Sequence, residues 1–284
     1  MYRMKMEGTL FKYGPGSAHL AFKSANHKHH VVAVGGLTDG MLFSKYLPLL
    51  DQQLSPSEIS LVQTLLTSSH RGWGTSSITK DAEELNILCR TLRKEHKSEG
   101  VVIVGHSTGC QDAVMYAKNY KTDASAAPLL GVVLQAPVSD REFLSMLPDT
   151  VERTLVSRKL IKDNRPDDVA FRAMSIDGAA VTASRWLSLA EPGGEDDMFS
   201  ADLTDEELKE KFSGLSGVPT LLMLSSRDEY THPSVDYLEM GNRMAKAIGP
   251  SARLAILEGA NHAVDNHAED AADLISEFVM GLVG

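Results

Sequence analysis

The sequence has little cysteine, no long apolar run and no excess of basic residues. Its 284 residues include two cysteines, Cys89 and Cys110, so a disulfide framework is not indicated and a reducing compartment is favoured. No run approaches the roughly 18 apolar residues that a membrane-spanning helix needs. The first 14 residues lack the apolar core of a secretory leader. We therefore expect a cytosolic protein that does not enter a membrane.

The charge balance also limits the possible partners. There are 28 Lys and Arg against 38 Asp and Glu, which gives a formal net charge of −10. Nucleic acid is disfavoured as a partner because phosphate binding requires a basic face. A hydrophobic content of 43% is ordinary for a globular protein, and the length suffices for one large α/β domain or two small ones.

What the sequence does contain is the pattern of a nucleophile elbow, from Val101 to Tyr116 (VVIVGHSTGCQDAVMY). An apolar strand runs into a Gly-flanked Ser107, and helical spacing follows. The flanking Gly105 and Gly109 suit a strained turn in which no larger side chain fits. Ser107 is therefore the candidate nucleophile, at a helix N-terminus that favours developing negative charge. The alternative is an ordinary serine in a strand-to-helix turn.

A second glycine-rich turn, Gly35 to Gly40, follows the strand predicted at Val31 to Val34. Glycines allow the backbone to approach a ligand and turn an amide inward. We predict that the Leu37 amide is one donor of an oxyanion hole and that the Thr108 amide is the other. A plain strand-to-helix turn is the alternative.

Candidates for an acid and a base follow the last two predicted strands. Asp228 and Glu229 come just after the strand Val218 to Leu224. Since side chains alternate at the end of a strand, only one of the two should face the site, and we favour Asp228. His262 lies in the loop after the strand Arg253 to Leu257, where a hydrolase of this topology keeps its base.

The three candidates occur in the order Ser107, Asp228, His262, which is the α/β-hydrolase order. It differs from the orders of chymotrypsin and subtilisin. In this scheme the imidazole accepts the serine proton, while the carboxylate orients the ring and stabilises its charged form.

The alternation of strands and helices predicts an α/β-hydrolase fold, with a mostly parallel central sheet covered by helices on both faces. We expect residues 1–138 and 218–284 to form this core, with an antiparallel hairpin in residues 8–23. Residues 139–217 break the rhythm, and we expect them to be a helical lid or cap insertion. Helices are predicted there near residues 141–159, 167–175 and 179–189. Its acidic stretch, 191–211, is interpreted as a solvated face.

Other candidate side chains are weaker. The loop residues His70 and Trp73 could line a pocket. His106 is expected to point away from the nucleophile and to pack in the core. Three histidines before the first parallel strand resemble a metal tract but lack a second ligand cluster, so we expect no metal and no cofactor: His27, His29 and His30.

The whole chain resembles the α/β-hydrolase superfamily, and more narrowly the fungal siderophore esterases of the fusarinine C esterase type. The resemblance is carried by the elbow Gly105 to Asp112, by Gly35 to Gly40 and by Ser226 to Tyr230. It implies an intracellular, metal-independent hydrolase that cleaves the ester bonds between hydroxamate-bearing units of a siderophore, so that iron is released. The stretch Tyr230 to Pro233 is one residue longer than expected, so no role is transferred to His232.

Two other functions are compatible with the same residues. One is a generalist carboxylesterase or thioesterase for small acyl groups. The other is a non-catalytic ligand-binding protein on the same scaffold. In each case the partner is a small molecule, and the oligomeric state is left open.

Overall fold

A central sheet dominates the computed structural model, which describes residues 4–174 and 178–284. Within these residues the sheet has eight strands: β1 (Thr9–Lys12), β2 (Leu20–Lys23), β3 (His29–Val34), β4 (Ile59–Thr64), β5 (Gly100–His106), β6 (Leu129–Gln135), β9 (Thr220–Ser225) and β10 (Ala252–Leu257). A separate pair consists of β7 (Val169–Arg172) and β8 (Ala180–Thr182).

The sheet has the strand order β1-β2-β4-β3-β5-β6-β9-β10. Neighbouring strands from β4 to β10 are parallel, whereas β1 and β2 form the antiparallel hairpin predicted at the edge. Every residue of β4, β5 and β9 is buried. Strands covered on both faces are expected to be continuously apolar, as most of these residues are.

Helices cover both faces of the sheet. They are α1 (Tyr46–Leu54), α2 (Ile78–Glu95), α3 (Gly109–Tyr120), α4 (Asp140–Ser145), α5 (Thr150–Lys162), α6 (Ala183–Ala190), α7 (Asp205–Lys211), α8 (Tyr237–Ile248) and α9 (Ala268–Val283). Buried side chains of α2, α3 and α8 share one apolar core with the sheet, and those of α1 and α9 share the other. In the described part of the chain, no helix is long and apolar enough to cross a membrane.

The register brings the strand ends that matter to one edge of the sheet. Val34 pairs with Gly105, so β3 and β5 end at nearly the same level. His106 pairs with Gln135 at the end of β6. Because all these strands are parallel, the loops that follow them gather above the same edge.

Residues 139–217 lie between β6 and β9 and contain α4 to α7 and the β7–β8 pair. Their apolar side chains form a third small core with Trp73 of the loop after β4. The prediction of a helix near residues 167–175 is wrong, because β7 occupies residues 169–172 and pairs antiparallel with β8. Alternating Val169 and Phe171 suit a strand paired with a neighbour. The end of that prediction, Ser175, lies outside the described residues.

The helix predicted near residues 179–189 begins later than expected. Residues 180–182 are β8, and α6 starts only at Ala183. The Thr182 hydroxyl accepts a hydrogen bond from the Arg185 amide, which is the arrangement of a helix N-cap. The β-branched Val181 and Thr182 therefore belong to the strand and the cap.

Candidate active site

Ser107 lies in a sharp turn between β5 and α3. Its φ of 54° is in the left-handed region, which costs free energy for a non-glycine residue. A side chain at Gly105 would lie 2.2 Å from the Gly109 carbonyl oxygen, and one at Gly109 would lie 2.5 Å from that of Val34. Both positions therefore require glycine, as the motif predicts.

His262 has its ring held by one carboxylate. Its Nδ1 lies 2.9 Å from Oδ1 and 2.8 Å from Oδ2 of Asp228. The two side chains are 8% and 3% exposed, so the contact is shielded from solvent. Glu229 has a different partner, since its Oε2 accepts from the backbone amide of His262 at 2.9 Å. Both acids thus hold the same residue, but only Asp228 touches the imidazole.

Ser107 and His262 open into the same cavity. Its volume is about 530 Å³, and its walls are mostly apolar and aromatic. Gly36, Leu37 and Asp39 line it from the turn after β3. Side chains of the 139–217 segment also line it. A cavity of this size can hold a small organic ligand.

The turn after β3 touches the turn that carries Ser107. A Cβ on Gly36 would lie 2.6 Å from the Ser107 Cβ, so any side chain there would collide with the candidate nucleophile. Asp39 holds the turn, because its Oδ2 accepts from the Gly36 amide at 2.9 Å and its own amide donates to the Gly36 carbonyl at 3.1 Å. Burial raises the pKa of this carboxyl.

The predicted oxyanion donors lie at this junction. Within residues 4–174 and 178–284, neither the Leu37 amide nor the Thr108 amide donates a hydrogen bond to another protein atom. Leu37 lines the cavity, and Thr108 is the N-cap residue of α3. Both amides therefore remain available to a bound oxygen atom.

Sequence reasoning missed the part that His106 and Gln135 take in the site. The His106 ring lies 4.9 Å from the His262 ring and stacks on Phe43 at 5.5 Å. Gln135 joins the two histidines, because its Oε1 lies 2.5 Å from His106 Nδ1 and its Nε2 donates to the His262 carbonyl at 3.0 Å. Burial, with a smaller effect of the His262 charge, lowers the pKa of His106 to about 3. The available signal was the position of both residues at the ends of adjacent strands.

Of the loop residues considered from the sequence, some line the cavity and others do not. Trp73 is buried and lines the cavity, and Tyr230 packs on the His262 ring at 4.5 Å. His70 is exposed and is not among the lining residues. His232 lies outside the cavity lining too, and its Nδ1 lies 2.7 Å from the Ser234 hydroxyl oxygen.

The histidine tract makes ordinary contacts. His30 is buried, and its Nδ1 lies 2.9 Å from the Ser98 hydroxyl oxygen. Burial lowers the pKa of His30 to about 3, with smaller contributions from nearby charges. Among the residues described, no group of three or more His, Cys, Asp or Glu side chains could hold a metal ion.

A partly buried carboxyl also lines the cavity. Asp140, at the start of α4, accepts a hydrogen bond from Gln111 Nε2 at 2.6 Å. Burial, reinforced by the charge of Asp196, raises the pKa of Asp140 to about 7. This group therefore changes its charge near neutral pH.

Comparison with known proteins gives a consistent set of relatives. A family model described as "Protein of unknown function (DUF1749)" matches residues 1–283. The chain is 30% identical over 276 residues to a UPF0613 protein of Schizosaccharomyces pombe, covering 88% of this chain and 85% of that protein. It is 28% identical over 314 residues to fusarinine C esterase sidJ of Aspergillus fumigatus, covering 90% and 88%.

Solved structures agree with these relatives. Siderophore hydrolase EstB from Aspergillus fumigatus superposes with a TM-score of 0.80 at 25% identity, covering 98% of this chain and 97% of that one. The carboxyl esterase from Bacillus coagulans, at 12% identity and a TM-score of 0.64, shares the fold and covers 99% and 100% of the two chains. The predicted α/β-hydrolase fold and the resemblance to fungal siderophore esterases are confirmed.

Proposed function

The chain belongs to the DUF1749 family, and we propose that it is a serine esterase that cleaves carboxylic esters through an acyl-enzyme. The observation that carries this proposal is the Asp228–His262 contact in the cavity that Ser107 lines. Relatives named as a fusarinine C esterase, a siderophore hydrolase and an esterase support ester hydrolysis as the general reaction.

In the first half-reaction, Ser107 Oγ attacks the ester carbonyl carbon while His262 Nε2 takes the serine proton. Asp228 keeps Nδ1 protonated and stabilises the imidazolium. The oxyanion that forms on the carbonyl oxygen accepts from the Leu37 and Thr108 amides. When the tetrahedral intermediate collapses, His262 gives the proton to the leaving alcohol.

The second half-reaction repeats these steps with water. His262 takes a proton from the water as its oxygen attacks the acyl-serine carbonyl, and the same two amides stabilise the oxyanion. Collapse returns the proton to Ser107 Oγ and releases the acid. Because His106 stays neutral at neutral pH, it adds no positive charge beside the imidazolium.

We infer that the substrates are siderophore esters, whose hydrolysis releases hydroxamate-bearing units. The relationship to proteins named as siderophore esterases supports this narrower inference. The largely apolar cavity favours a second candidate, a generalist carboxylesterase for small acyl groups. Rates on a ferric hydroxamate triester and on p-nitrophenyl butyrate separate the two, since a siderophore esterase should prefer the triester.

We also propose that residues 139–217 act as a lid over a core of residues 1–138 and 218–284. Support comes from the side chains of this segment that line the same cavity as Ser107. The cytosolic location is a further proposal, and the two cysteines, both free and buried, are compatible with it.

The direct test of the mechanism is covalent labelling. A fluorophosphonate probe should modify Ser107 in the folded protein, as seen by peptide mapping. Ser107→Ala should abolish the labelling and reduce kcat by about 10⁴-fold or more while the melting temperature is preserved. Labelling at another residue, or a Ser107→Ala variant with full activity, would exclude this mechanism.

A further inference from the structure

The cavity wall supplied by residues 139–217 contains one cationic side chain. Arg153 of α5 is the only lysine or arginine among the described residues that line the cavity. Apart from Asp140, the other side chains that this segment adds to the lining are apolar, so the guanidinium is its one positively charged group. Six aromatic side chains line the same cavity: Phe43, Trp73, Phe143, Phe171, Trp186 and Tyr230.

Aromatic packing holds the guanidinium in place. Its Cζ lies 4.6 Å from the centroid of the Phe171 ring and 5.7 Å from that of Trp186. The Trp186 ring is itself anchored, because its Nε1 donates to the Thr154 hydroxyl at 2.9 Å. The side chain of Arg153 is only 12% exposed. A guanidinium stacked by its face keeps its N–H donors in the plane for other acceptors.

Most of those donors have no protein partner. In the described part of the chain, the one hydrogen bond from the Arg153 side chain runs from Nη2 to Asp149, one turn earlier on α5. A guanidinium carries five N–H donors, so four remain. Asp149 is 44% exposed, and exposed ion pairs of this kind contribute only ~0–1 kcal/mol. A ligand can therefore share or replace this partner.

The acidic groups of the cavity do not compete for Arg153. Each accepts a hydrogen bond from a protein donor: Asp39 from the Gly36 amide, Asp140 from Gln111 and Glu229 from the His262 amide. Arg153 is thus the charged group of the cavity with the most unused hydrogen-bonding capacity.

We propose that Arg153 binds an oxyanion of the substrate, a carboxylate or a hydroxamate, at a distance from the ester that is cleaved. Both groups carry two neighbouring oxygen atoms, which match the fork of a guanidinium. The aromatic walls exclude water and strengthen such a charge-assisted contact. The proposal rests on the proposed esterase function and adds to it a preference for esters whose acyl chain ends in one of these groups.

Matched substrates test the proposal. The mono-p-nitrophenyl ester of adipic acid is compared with p-nitrophenyl hexanoate, and a third ester ends in a hydroxamate. Arg153→Met should lower kcat/KM for an oxyanion-bearing ester about 10- to 100-fold, mainly through KM. The neutral ester should change less than about threefold. Arg153→Lys should recover part of the loss, because charge is restored but the fork is not.

The control variant is Arg158→Met. Arg158 lies on the same helix, pairs with Glu191, is 59% exposed and does not line the cavity. It should leave the selectivity among the three esters unchanged. The carboxylate and hydroxamate arms show which oxyanion is preferred. Equal losses on charged and neutral esters, or no loss on any ester, would overturn the proposal.

A binding assay separates this proposal from the esterase function. The chain has two tryptophans, and both line the cavity, so ligand binding can be followed by their fluorescence. In Ser107→Ala protein, monomethyl adipate should bind more tightly than dimethyl adipate, and adding Arg153→Met should remove the difference. Equal binding of the two esters would refute the Arg153 proposal. If the protein bound the two esters selectively but the fluorophosphonate probe did not label Ser107, only the esterase proposal would be refuted.

Discussion

At the scale of single residues, the imidazole of His262 has a different kind of neighbour on each side. Asp228 holds Nδ1, the Tyr230 ring packs at 4.5 Å and the neutral His106 ring lies at 4.9 Å. The carboxylate stabilises a positive imidazolium, and the two rings exclude water without adding charge. In the proposed mechanism these neighbours favour proton transfer at Nε2, the ring nitrogen that Asp228 does not contact.

Replacing Asp228 and Glu229 in turn tests which of the two acids supports His262 as the proposed base. Asp228→Asn should lower kcat by about 10⁴-fold, because an amide can hold the ring in the wrong tautomer. Glu229→Gln should lower kcat less than about tenfold, since the carbonyl oxygen of the glutamine side chain can still accept a hydrogen bond from the His262 amide. Steady-state kinetics on one p-nitrophenyl ester, with melting temperatures as the folding control, measures both. A larger loss in Glu229→Gln would reverse the assignment.

The contact between Gly36 and Ser107 predicts a second effect. Gly36→Ala would place its Cβ 2.6 Å from the Ser107 Cβ, so one of the two turns must shift. Displacing an oxyanion donor costs about 10²- to 10³-fold in kcat. The ester assay should show this loss together with weakened fluorophosphonate labelling.

Gly281→Ala is the matched control for that variant. Gly281 lies in α9, and apart from its chain neighbours and the backbone of its own helix, no heavy atom lies within 4 Å of a Cβ there. The substitution should preserve kcat and raise the free energy of unfolding by about 0.5–1 kcal/mol. If Gly36→Ala were as active as Gly281→Ala, the turn after β3 would have no part in catalysis.

At the scale of elements, one buried ion pair and its hydrogen bonds connect the 139–217 segment to the loop after β4. Arg185 of α6 donates through Nη1 to Asp196 at 2.6 Å and through Nε to the Trp73 carbonyl at 2.9 Å. The Ser188 hydroxyl also donates to Asp196, at 2.6 Å. These bonds join α6, the loop before α7 and the loop after β4, and so connect the 139–217 segment to the loop that carries Trp73.

Removing the arginine should loosen this junction. Arg185→Met leaves Asp196 buried without its cation, and we expect the free energy of unfolding to fall by about 3–5 kcal/mol. Arg158→Met, which breaks the exposed ion pair with Glu191, should lower the free energy of unfolding by less than about 1 kcal/mol. Urea unfolding followed by circular dichroism measures both. Similar costs for the two variants would show that the buried pair does not stabilise the fold.

At the scale of the whole molecule, three carboxyl groups are at least partly buried, namely those of Asp81, Asp112 and Asp140, and Asp140 also lines the cavity. Burial raises the pKa of Asp81 and of Asp140 to about 7, and it raises that of Asp112 well above the ordinary range. Nearby acidic charges add to the effect of burial: that of Glu84 on Asp81, that of Asp196 on Asp140, and those of Asp81 and Asp140 on Asp112. The folded protein therefore retains protons that the unfolded chain releases at lower pH.

This retention predicts how stability depends on pH. Unfolded aspartate has a pKa of about 3.9, below the folded value of about 7 for Asp140. The folded state thus binds the extra proton between these pH values, and the free energy of unfolding must fall as pH rises through them. Between pH 5 and pH 8, the free energy of unfolding of the wild type should fall by roughly 1–3 kcal/mol more than that of Asp140→Asn.

Urea titrations at several pH values measure this difference. The amide introduced by Asp140→Asn can still accept from Gln111, so the substitution removes the titration without removing the hydrogen bond. The exposed Glu206, replaced by Gln, should leave the pH dependence unchanged. A pH profile of Asp140→Asn that parallels the wild type would contradict the raised pKa.

The extent to which the sequence predicts the fold follows from the distance over which each signal acts. Apolar strands such as Val101 to His106 and Gly-flanked turns such as that at Ser107 are local patterns, and the structure has them where the patterns place them. The pattern of residues 167–172 favours a helix wrongly, because a strand of four residues carries little periodicity. Only pairing with β8 makes these residues a strand.

By itself, the sequence determined the order along the chain of the strands in the central sheet and the three polar side chains at their carboxyl ends, because strand periodicity and glycine requirements depend on neighbouring residues. Tertiary structure alone decided that Asp228 touches the imidazole while Glu229 binds its backbone, that Gln135 joins His106 to His262, and that Arg153 enters the cavity. These contacts join residues up to 127 positions apart. They depend on the directions of side chains after the sheet has twisted and the helices have packed, which no local pattern records.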